Sequence, residues 1–421
     1  MKTDKNGNRL DSIRPQSESV SSENQTSLLS EPQEILLRDP SIEPYSTSEF
    51  QAALARVVQH PSLTRIVNRF FPGDDPRSRI EKIRQIQSVE QFQKEVISPI
   101  LDAIVQQSSL GLQVTGMDQL DPKKCYLYLS NHRDILCDPS FFTNALHHEG
   151  YPTPHICLGD NLLKNPLVAD LIKMNQGITV RRNLSPRELL KSSKILSATL
   201  TSLITDGRSS VWLAQREGRA KTGIDETQSG VLKMLLISGQ GSLLERLCAL
   251  HLVPVAISYE FDPCDALKAR EIYLTELQGT YQKGPEEDLI SMMKGLEGFK
   301  GRIHLSLGAE MSSQILASAP IFLKLENKKK QIQWITQLID EQIRKLFQLW
   351  PTHFIAHDLL HQSHAMNAHY TKEEKHQFMD RMEAQLKTLN FKQGTPPRVR
   401  EIFLENYANA LRLGALSPQA S

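Results

Sequence analysis

The sequence is poor in cysteine and has no long, uninterrupted apolar run. Its five cysteines are scattered and form no C-x-x-C pair, which argues against a disulfide framework or a zinc module. No stretch approaches the roughly 18 to 20 apolar residues of a membrane-spanning helix. The first 30 residues also lack the apolar segment of a secretory signal. We therefore predict a cytoplasmic protein with no signal peptide and no transmembrane helix.

The sequence also lacks an excess of charge of either sign. Lys and Arg number 49 against 48 for Asp and Glu, so a net charge of +1 gives no global attraction to nucleic acid or to an anionic membrane. Hydrophobic residues make up 39% of the chain, which is enough to build a sizeable core. A length of 421 residues favours two or three domains, or one large domain with extensions.

The pattern of apolar residues divides the chain into four regions. Residues 1–46 lack hydrophobic periodicity and are predicted to be a disordered polar tail. Residues 47–110 show helical spacing, residues 111–325 alternate between short β-rich runs and helical patterns, and residues 326–421 are predicted to be all-helical. The alternation predicts an α/β domain with a sheet flanked by helices. We place its strands near residues 124–130, 153–158, 177–181, 209–214, 252–259 and 302–308.

The strongest local pattern follows the first of these predicted strands and reads Asn131-His132-Arg133-Asp134 through Cys137-Asp138-Pro139. The ends of strands are where α/β proteins place their chemistry. An Asp-Pro pair also suits the first positions of a helix, so capping is the alternative interpretation of Asp138.

Four segments in order resemble the conserved blocks of the glycerolipid acyltransferases, the glycerol-3-phosphate and lysophosphatidic acid acyltransferases of phospholipid synthesis. The first is the His132–Asp138 stretch, and the resemblance spans roughly residues 111 to 260. It implies a mixed sheet flanked by helices, of the glycerol-3-phosphate acyltransferase type, with helical extensions at both ends. The other three segments are Gly177-Ile178-Thr179-Val180-Arg181-Arg182, Gln215-Arg216-Glu217-Gly218-Arg219 and Leu252-Val253-Pro254-Val255-Ala256.

The resemblance implies that His132 is a general base and that Asp138 orients it. A neutral imidazole suits the removal of a proton from an alcohol at cellular pH, and a carboxylate on the other ring nitrogen fixes the tautomer. In the family four residues separate the two, whereas five separate His132 from Asp138, so Asp134 remains the alternative partner. Cys137 lies in the same stretch, but we interpret it as an apolar filler and not as a nucleophile.

The later blocks supply the predicted substrate-binding residues. A glycerol phosphate acceptor carries a dianion, which guanidinium groups bind well, and Arg182 is the first candidate with Arg181 beside it. Neighbouring side chains on a strand point to opposite faces, so at most one of these arginines is expected to face the substrate. The third block retains Glu217 and Gly218 of the family pattern, and Arg216, Arg219 or Lys221 is expected to supply the positive charge there.

The resemblance implies an acyltransferase, and we expect it to use no cofactor and no metal. Its expected partners are acyl-CoA or acyl carrier protein as donor, a glycerophosphate or lysophospholipid acceptor, and a peripheral membrane surface on the inner face of the membrane, but not nucleic acid. The arginine-bearing stretch 50–71 is one candidate for that surface, and packing on the catalytic domain is the alternative. Two other functions stay open: a catalytically degenerate lipid-binding or scaffold protein, and a hydrolase that uses water in place of the alcohol.

Overall fold

One mixed sheet of seven strands runs through the residues that the computed structural model describes, 39–284 and 286–412. The short strands are rich in β-branched and aromatic residues, as expected of a sheet covered on both faces. In chain order the strands are β1 (Leu112–Thr115), β2 (Leu127–Ser130), β3 (His155–Gly159), β4 (Gly177–Val180), β5 (Val211–Ala214), β6 (Leu252–Tyr259) and β7 (Ile303–Leu307).

The strands lie in the order β1-β7-β6-β2-β5-β3-β4. Neighbouring strands are parallel except for β6 and β7, which pair in the antiparallel direction, so the predicted mixed α/β sheet is confirmed. Five strands, β2 to β6, therefore point the same way, and their carboxyl ends meet at one edge. The first three sequence blocks include the residues that follow β2, β4 and β5 at this edge, and the fourth block lies within β6.

Alternate residues of the central strands build two separate cores, one on each face of the sheet. Leu127 and Leu129 of β2 pack on one face, and Tyr128 packs on the other beside Trp212 of β5. This period of two follows from the pleat of the strand. Each fully buried large apolar side chain contributes about 1.5–3 kcal/mol through its removal from water, so the two cores fix the strand register and with it the edge.

Helices cover both faces. Several of them begin at clear N-capping residues. Ser185 caps the helix that starts at Pro186, and Glu188 completes its capping box. The nine helices that the structure describes between β2 and the start of the C-terminal region are α6 (Cys137–His148), α7 (Pro166–Met174), α8 (Pro186–Thr205), α9 (Ser229–Leu235), α10 (Leu243–Cys248), α11 (Asp265–Gln278), α12 (Glu287–Glu297), α13 (Ser312–Ala317) and α14 (Ala319–Phe322).

The two ends of the described chain are helical, in line with the sequence pattern. Pro99 lies within a continuous helical run, just after a π-helical stretch at Gln93–Ile97, and the carbonyl of Glu95, which the missing N–H of proline leaves free, accepts from Arg79. The N-terminal helices are α1 (Thr47–Gln59), α2 (Ser62–Phe70), α3 (Pro76–Arg84), α4 (Val89–Phe92) and α5 (Ser98–Ser108), and the C-terminal ones are α15 (Lys328–Leu346), α16 (Pro351–Leu360), α17 (Lys372–Lys387) and α18 (Pro397–Ala408).

The segment at residues 39–46, which the sequence assigned to the polar tail, packs on the edge strand β4. Ile42 is buried, and its carbonyl accepts a hydrogen bond of 2.8 Å from the backbone N–H of Thr179. The buried ammonium group of Lys173 donates to the carbonyls of Ser41 and Glu43. One buried apolar side chain, one hydrogen bond from the edge strand and two from Lys173 hold this short polar segment in place. The rest of the predicted tail, residues 1–38, lies outside the described residues.

Candidate active site

The turn after β2 is fixed to the neighbouring strand by the side chain of Asn131. Its Nδ2 donates to the carbonyl of Ile257 at 3.0 Å, and the N–H of Ile257 donates to its Oδ1 at 2.8 Å. The carboxamide thus imitates one more residue pair between β2 and β6. This clamp sets where the chain leaves the sheet, and His132 is the next residue.

His132 and Asp138 meet in this turn. Nδ1 of His132 lies 2.9 Å from Oδ2 of Asp138, and the imidazole is 13% exposed while the carboxylate is buried. The same Oδ2 accepts from the backbone N–H groups of Arg133 at 2.6 Å and Asp134 at 2.8 Å. The turn therefore wraps around the carboxylate, which accommodates the extra residue between His132 and Asp138.

Asp134, the alternative partner, makes different contacts. Its Oδ1 accepts from the backbone N–H groups of Leu136 and Cys137 at 3.0 and 2.9 Å, so it supports the first turn of α6. Burial raises the pKa of its carboxyl group. The structure thus gives the two aspartates different places: Asp138 contacts the imidazole, and Asp134 holds the turn that presents Asp138.

Two further groups hold His132 from the side of β5. The ring of Trp212 packs edge to face against the imidazole, with ring centroids 6.0 Å apart. The buried carboxylate of Asp225 accepts from the backbone N–H of His132 at 3.0 Å and from Nε2 of Gln215 at 3.1 Å. The pKa of Asp225 is raised by burial. Both neighbours restrict the ring and its backbone without occupying Nε2.

Cys137 faces away from this chemistry. Its thiol is fully buried and donates to the carbonyl of Gly295 at 3.3 Å. Burial, aided by the nearby Asp134 carboxylate, raises the pKa of this thiol well above its ordinary value. Because only a thiolate is a good nucleophile, this position suits a packing role.

The third block forms the next wall of the site. The backbone N–H of Ala220 donates to the carbonyl of His132 at 2.8 Å, which ties the loop after β5 to the turn after β2. Gly218 has a φ of +69°, a backbone conformation that residues with a Cβ rarely adopt. Glu217 is exposed beside it, and Arg219 is buried near the charges of Asp134 and Asp262.

A cleft of about 370 Å³ opens between this loop and α11. Arg216, Arg219 and Lys221 bring positive charge to its lining, and Glu271 holds the ammonium group of Lys221 at 2.5 Å. The loop that lines the cleft is also the one that Ala220 ties to the carbonyl of His132, but His132 itself does not line the cleft.

The two arginines after β4 lie in different surroundings. Arg181 binds Asp39 at 2.9 Å and Ser41 at 2.5 Å, so it is engaged by the segment that covers the edge strand. Arg182 lies 3.5 Å from Glu217 of the third block, and its backbone N–H donates to Asp160. Only Arg182 of this pair is thus joined to the loop beside His132.

The histidines of the C-terminal region do not assemble a metal site. His357 of α16 and His361, which caps the same helix, pack with ring centroids 4.6 Å apart. Across the residues with described positions, no three His, Cys, Asp or Glu side chains come close enough together to hold a metal ion.

Several residues of the site carry no sequence signal of their own. Asp225 lies in a polar loop 93 positions after His132, and Tyr259, which donates to Oδ1 of Asp138 at 2.7 Å, is the last residue of a mostly apolar strand. A lone Asp in a loop or a Tyr at a strand end is common in proteins. Only the folded sheet shows that both contact the His132–Asp138 pair.

Comparison with known proteins agrees with the order of the four blocks. Residues 111–258 match the family model described as Acyltransferase. A glycerol-3-phosphate acyltransferase of Pseudoalteromonas translucida (strain TAC 125) is 29% identical over 189 residues, which cover 44% of this chain and 21% of that protein. The match thus spans about a fifth of the length of this curated relative.

A solved structure is also similar. The crystal structure of the 1-acyl-sn-glycerophosphate (LPA) acyltransferase PlsC from Thermotoga maritima shares 12% sequence identity, with a TM-score of 0.34, and the match covers 71% of this chain and 95% of that one. The family match and the curated relative, taken with the order of the blocks, support an acyltransferase domain of the glycerolipid type in residues 111–258.

Proposed function

We propose that this protein transfers a fatty acyl group from acyl-CoA or acyl carrier protein to the hydroxyl of glycerol-3-phosphate or 1-acylglycerol-3-phosphate. The observation that carries the proposal is the His132–Asp138 pair, in which Nδ1 is held by a buried carboxylate at 2.9 Å in a partly exposed turn. Transfer of label from an acyl thioester to each acceptor, with the products resolved by lipid mass spectrometry, tests it. Absence of an ester product with every acceptor would contradict it.

The reaction follows from the geometry of the imidazole. Nε2 of His132 takes the proton of the acceptor hydroxyl while the oxygen attacks the thioester carbonyl. The tetrahedral intermediate collapses as the carbon–sulfur bond breaks, and the imidazolium returns its proton to the departing thiolate. Asp138 keeps the hydrogen on Nδ1 and stabilises the transient imidazolium. The products are one ester and one free thiol, and the enzyme ends in its starting protonation state.

Arg182 is the proposed contact for the phosphate group of the acceptor. It stands at the same edge as His132, it is partly exposed, and its ion pair with the exposed Glu217 is long at 3.5 Å. A guanidinium in that position can exchange one carboxylate for the two oxygens of a phosphate. Glu217 then becomes available to the hydroxyl groups of the acceptor.

Replacing Arg182 by glutamine is expected to raise the KM for the phosphorylated acceptor about tenfold to a hundredfold, the effect of losing a hydrogen bond between charged groups. The KM for the acyl donor is expected to stay unchanged. Arg181→Gln is the matched control, because that side chain is engaged by Asp39 and Ser41. Steady-state kinetics with each substrate varied in turn makes the comparison. Equal acceptor KM values for the two variants would remove Arg182 from the phosphate site.

The first turns of α8 are the proposed contact with a membrane surface. Residues 186–191 are all exposed, including Leu189 and Leu190, and the helix starts just after Arg182 at the edge that holds the site. Arg187 and Lys191 flank the leucines, and the capping box engages the carboxylate of Glu188. Exposed leucines beside lysine and arginine suit a bilayer that contains anionic lipids.

The other candidate surface, in the stretch 50–71, offers less apolar area. The side chains of Phe50, Leu54, Val57, Leu63 and Val67 are buried in the N-terminal core. Arg65 and Arg69 remain exposed. No described helix is long and apolar enough to cross a bilayer.

Changing Leu189 and Leu190 together to serine is expected to weaken vesicle binding about tenfold or more, because two apolar side chains no longer enter the lipid. Sedimentation with phosphatidylcholine vesicles, with and without phosphatidylglycerol, measures the binding. Leu277→Ser is the matched control, since Leu277 is 63% exposed on α11. Unchanged binding by the double variant, with binding lost in Arg65→Gln/Arg69→Gln, would assign the contact to the N-terminal helices instead.

A further inference from the structure

Tyr259 binds the carboxylate oxygen of Asp138 that receives no hydrogen bond from the turn. Its hydroxyl donates to Oδ1 of Asp138 at 2.7 Å, and the tyrosine is 4% exposed. The other oxygen, Oδ2, already accepts from His132 and from two backbone N–H groups. The carboxylate is therefore held on both oxygens, on Oδ2 by its own turn and on Oδ1 by the end of β6.

Backbone contacts on both sides of β6 set the position of Tyr259. The side chain of Asn131 binds the backbone of Ile257 on both sides, which locks the start of the turn to β6 two residues before Tyr259. Beyond this point Tyr259 pairs with Ile303 of β7, so its backbone is held on the other side as well. The distance between the tyrosine and the turn is thus set by the sheet and not by a flexible loop.

We propose that Tyr259 is a positioning residue for acyl transfer, which holds the Asp138 carboxylate in the one orientation that presents Oδ2 to His132. The inference rests on the proposed function of the His132–Asp138 pair and goes beyond it, because the tyrosine touches neither the imidazole nor the substrate site. A carboxylate can turn about its Cβ–Cγ bond, and a donor on each oxygen stops that rotation. With the carboxylate fixed, the imidazole is fixed too.

The hydroxyl group remains a donor over the whole working range of pH. Burial, reinforced by the charge of Asp138, raises the pKa of Tyr259 well above its ordinary value. Loss of this donor leaves a buried carboxylate less stabilised, so a positive imidazolium beside it becomes more favourable. The acid limb of the kcat/KM profile is therefore expected to move to higher pH.

Other charged or titratable groups around the pair stay in place when only the tyrosine hydroxyl is removed. They belong to the turn itself, to the loop after β5, to the start of α11 and to the strand connection before β7. Among the described residues they are Arg133, Asp134, Cys137, Arg219, Asp225, Asp262, Cys264, Lys268 and Lys300.

The test is Tyr259→Phe, which keeps the ring and removes the hydroxyl. The expected result is a kcat about tenfold lower, the effect of losing one hydrogen bond to a charged group, with both KM values unchanged and an acid limb displaced to higher pH. Tyr128→Phe is the matched control, because Tyr128 is equally buried on β2 but packs against Phe142 in the core. The control is expected to keep the parental kcat and pH profile even if its melting temperature falls.

A proton spectrum separates this inference from the proposed function. With Nδ1–H bonded to a buried carboxylate, His132 is expected to give a downfield proton resonance that is absent from His132→Ala and displaced in Tyr259→Phe. Parent protein without acyl transfer, but with this displacement, would refute the function and retain the role of Tyr259. A Tyr259→Phe protein with the parental resonance, kcat and pH profile would overturn the inference.

Discussion

Asp138→Asn is expected to lower kcat by about 10³ to 10⁴, because an amide no longer fixes the tautomer of the base or stabilises the imidazolium. Either orientation of the amide group makes a poorer partner than the carboxylate, because its oxygen carries no charge to stabilise the imidazolium and its NH₂ group is a donor. Three donors meet at Oδ2 of Asp138, from His132, Arg133 and Asp134, and an NH₂ group turned toward them would oppose donor to donor. The KM for the acyl donor is expected to change little.

Asp134→Asn is the control that makes the result specific. Asp134 is a second buried aspartate of the same turn, but its Oδ1 binds the backbone of Leu136 and Cys137 instead of the imidazole. We expect this variant to melt at a lower temperature and to keep far more of its kcat than Asp138→Asn. A larger loss of kcat for Asp134→Asn would exchange the roles of the two residues. Rates are compared below the melting temperature of both variants.

His132→Ala is expected to lower kcat by about 10² to 10⁴, the range for loss of a general base. Fold and substrate binding are expected to survive, because the imidazole is partly exposed and its backbone is held by Asp225 and Ala220. His148→Ala is the control, since His148 is an exposed histidine of α6 that pairs with Asp102 of α5. Steady-state rates and melting temperatures of both variants provide the measurement.

The positions of the strands that carry the site were predicted because the apolar pattern of a strand lies within a few consecutive residues. Strands β2 to β7 all fall at the predicted places, and the blocks that follow β2, β4 and β5 meet at one edge because parallel strands share their direction. Strand β1 was missed. It is four residues long, only partly buried, and lies at the margin of the sheet, so its pattern is too short to distinguish from a loop.

What the sequence left open depended on contacts between distant segments. Alternation along a strand predicted that at most one of Arg181 and Arg182 faces the substrate, with Arg182 as the first candidate, but it did not predict what the other arginine contacts. Asp39 and Ser41 bind Arg181 from a segment assigned to the polar tail. In the same way, the extra residue before Asp138 became interpretable only when the backbone of the turn was seen to wrap around Oδ2.

The central claim is that His132 activates the hydroxyl of an acceptor for attack on an acyl thioester. Its most direct test is the release of free thiol by the parent protein and by His132→Ala, with and without the glycerophosphate acceptor, alongside the amount of ester formed. The account predicts that the parent releases one thiol per ester and only when acceptor is present, and that His132→Ala releases almost none. Thiol release by the parent without acceptor, or equal rates for the two proteins, would contradict it.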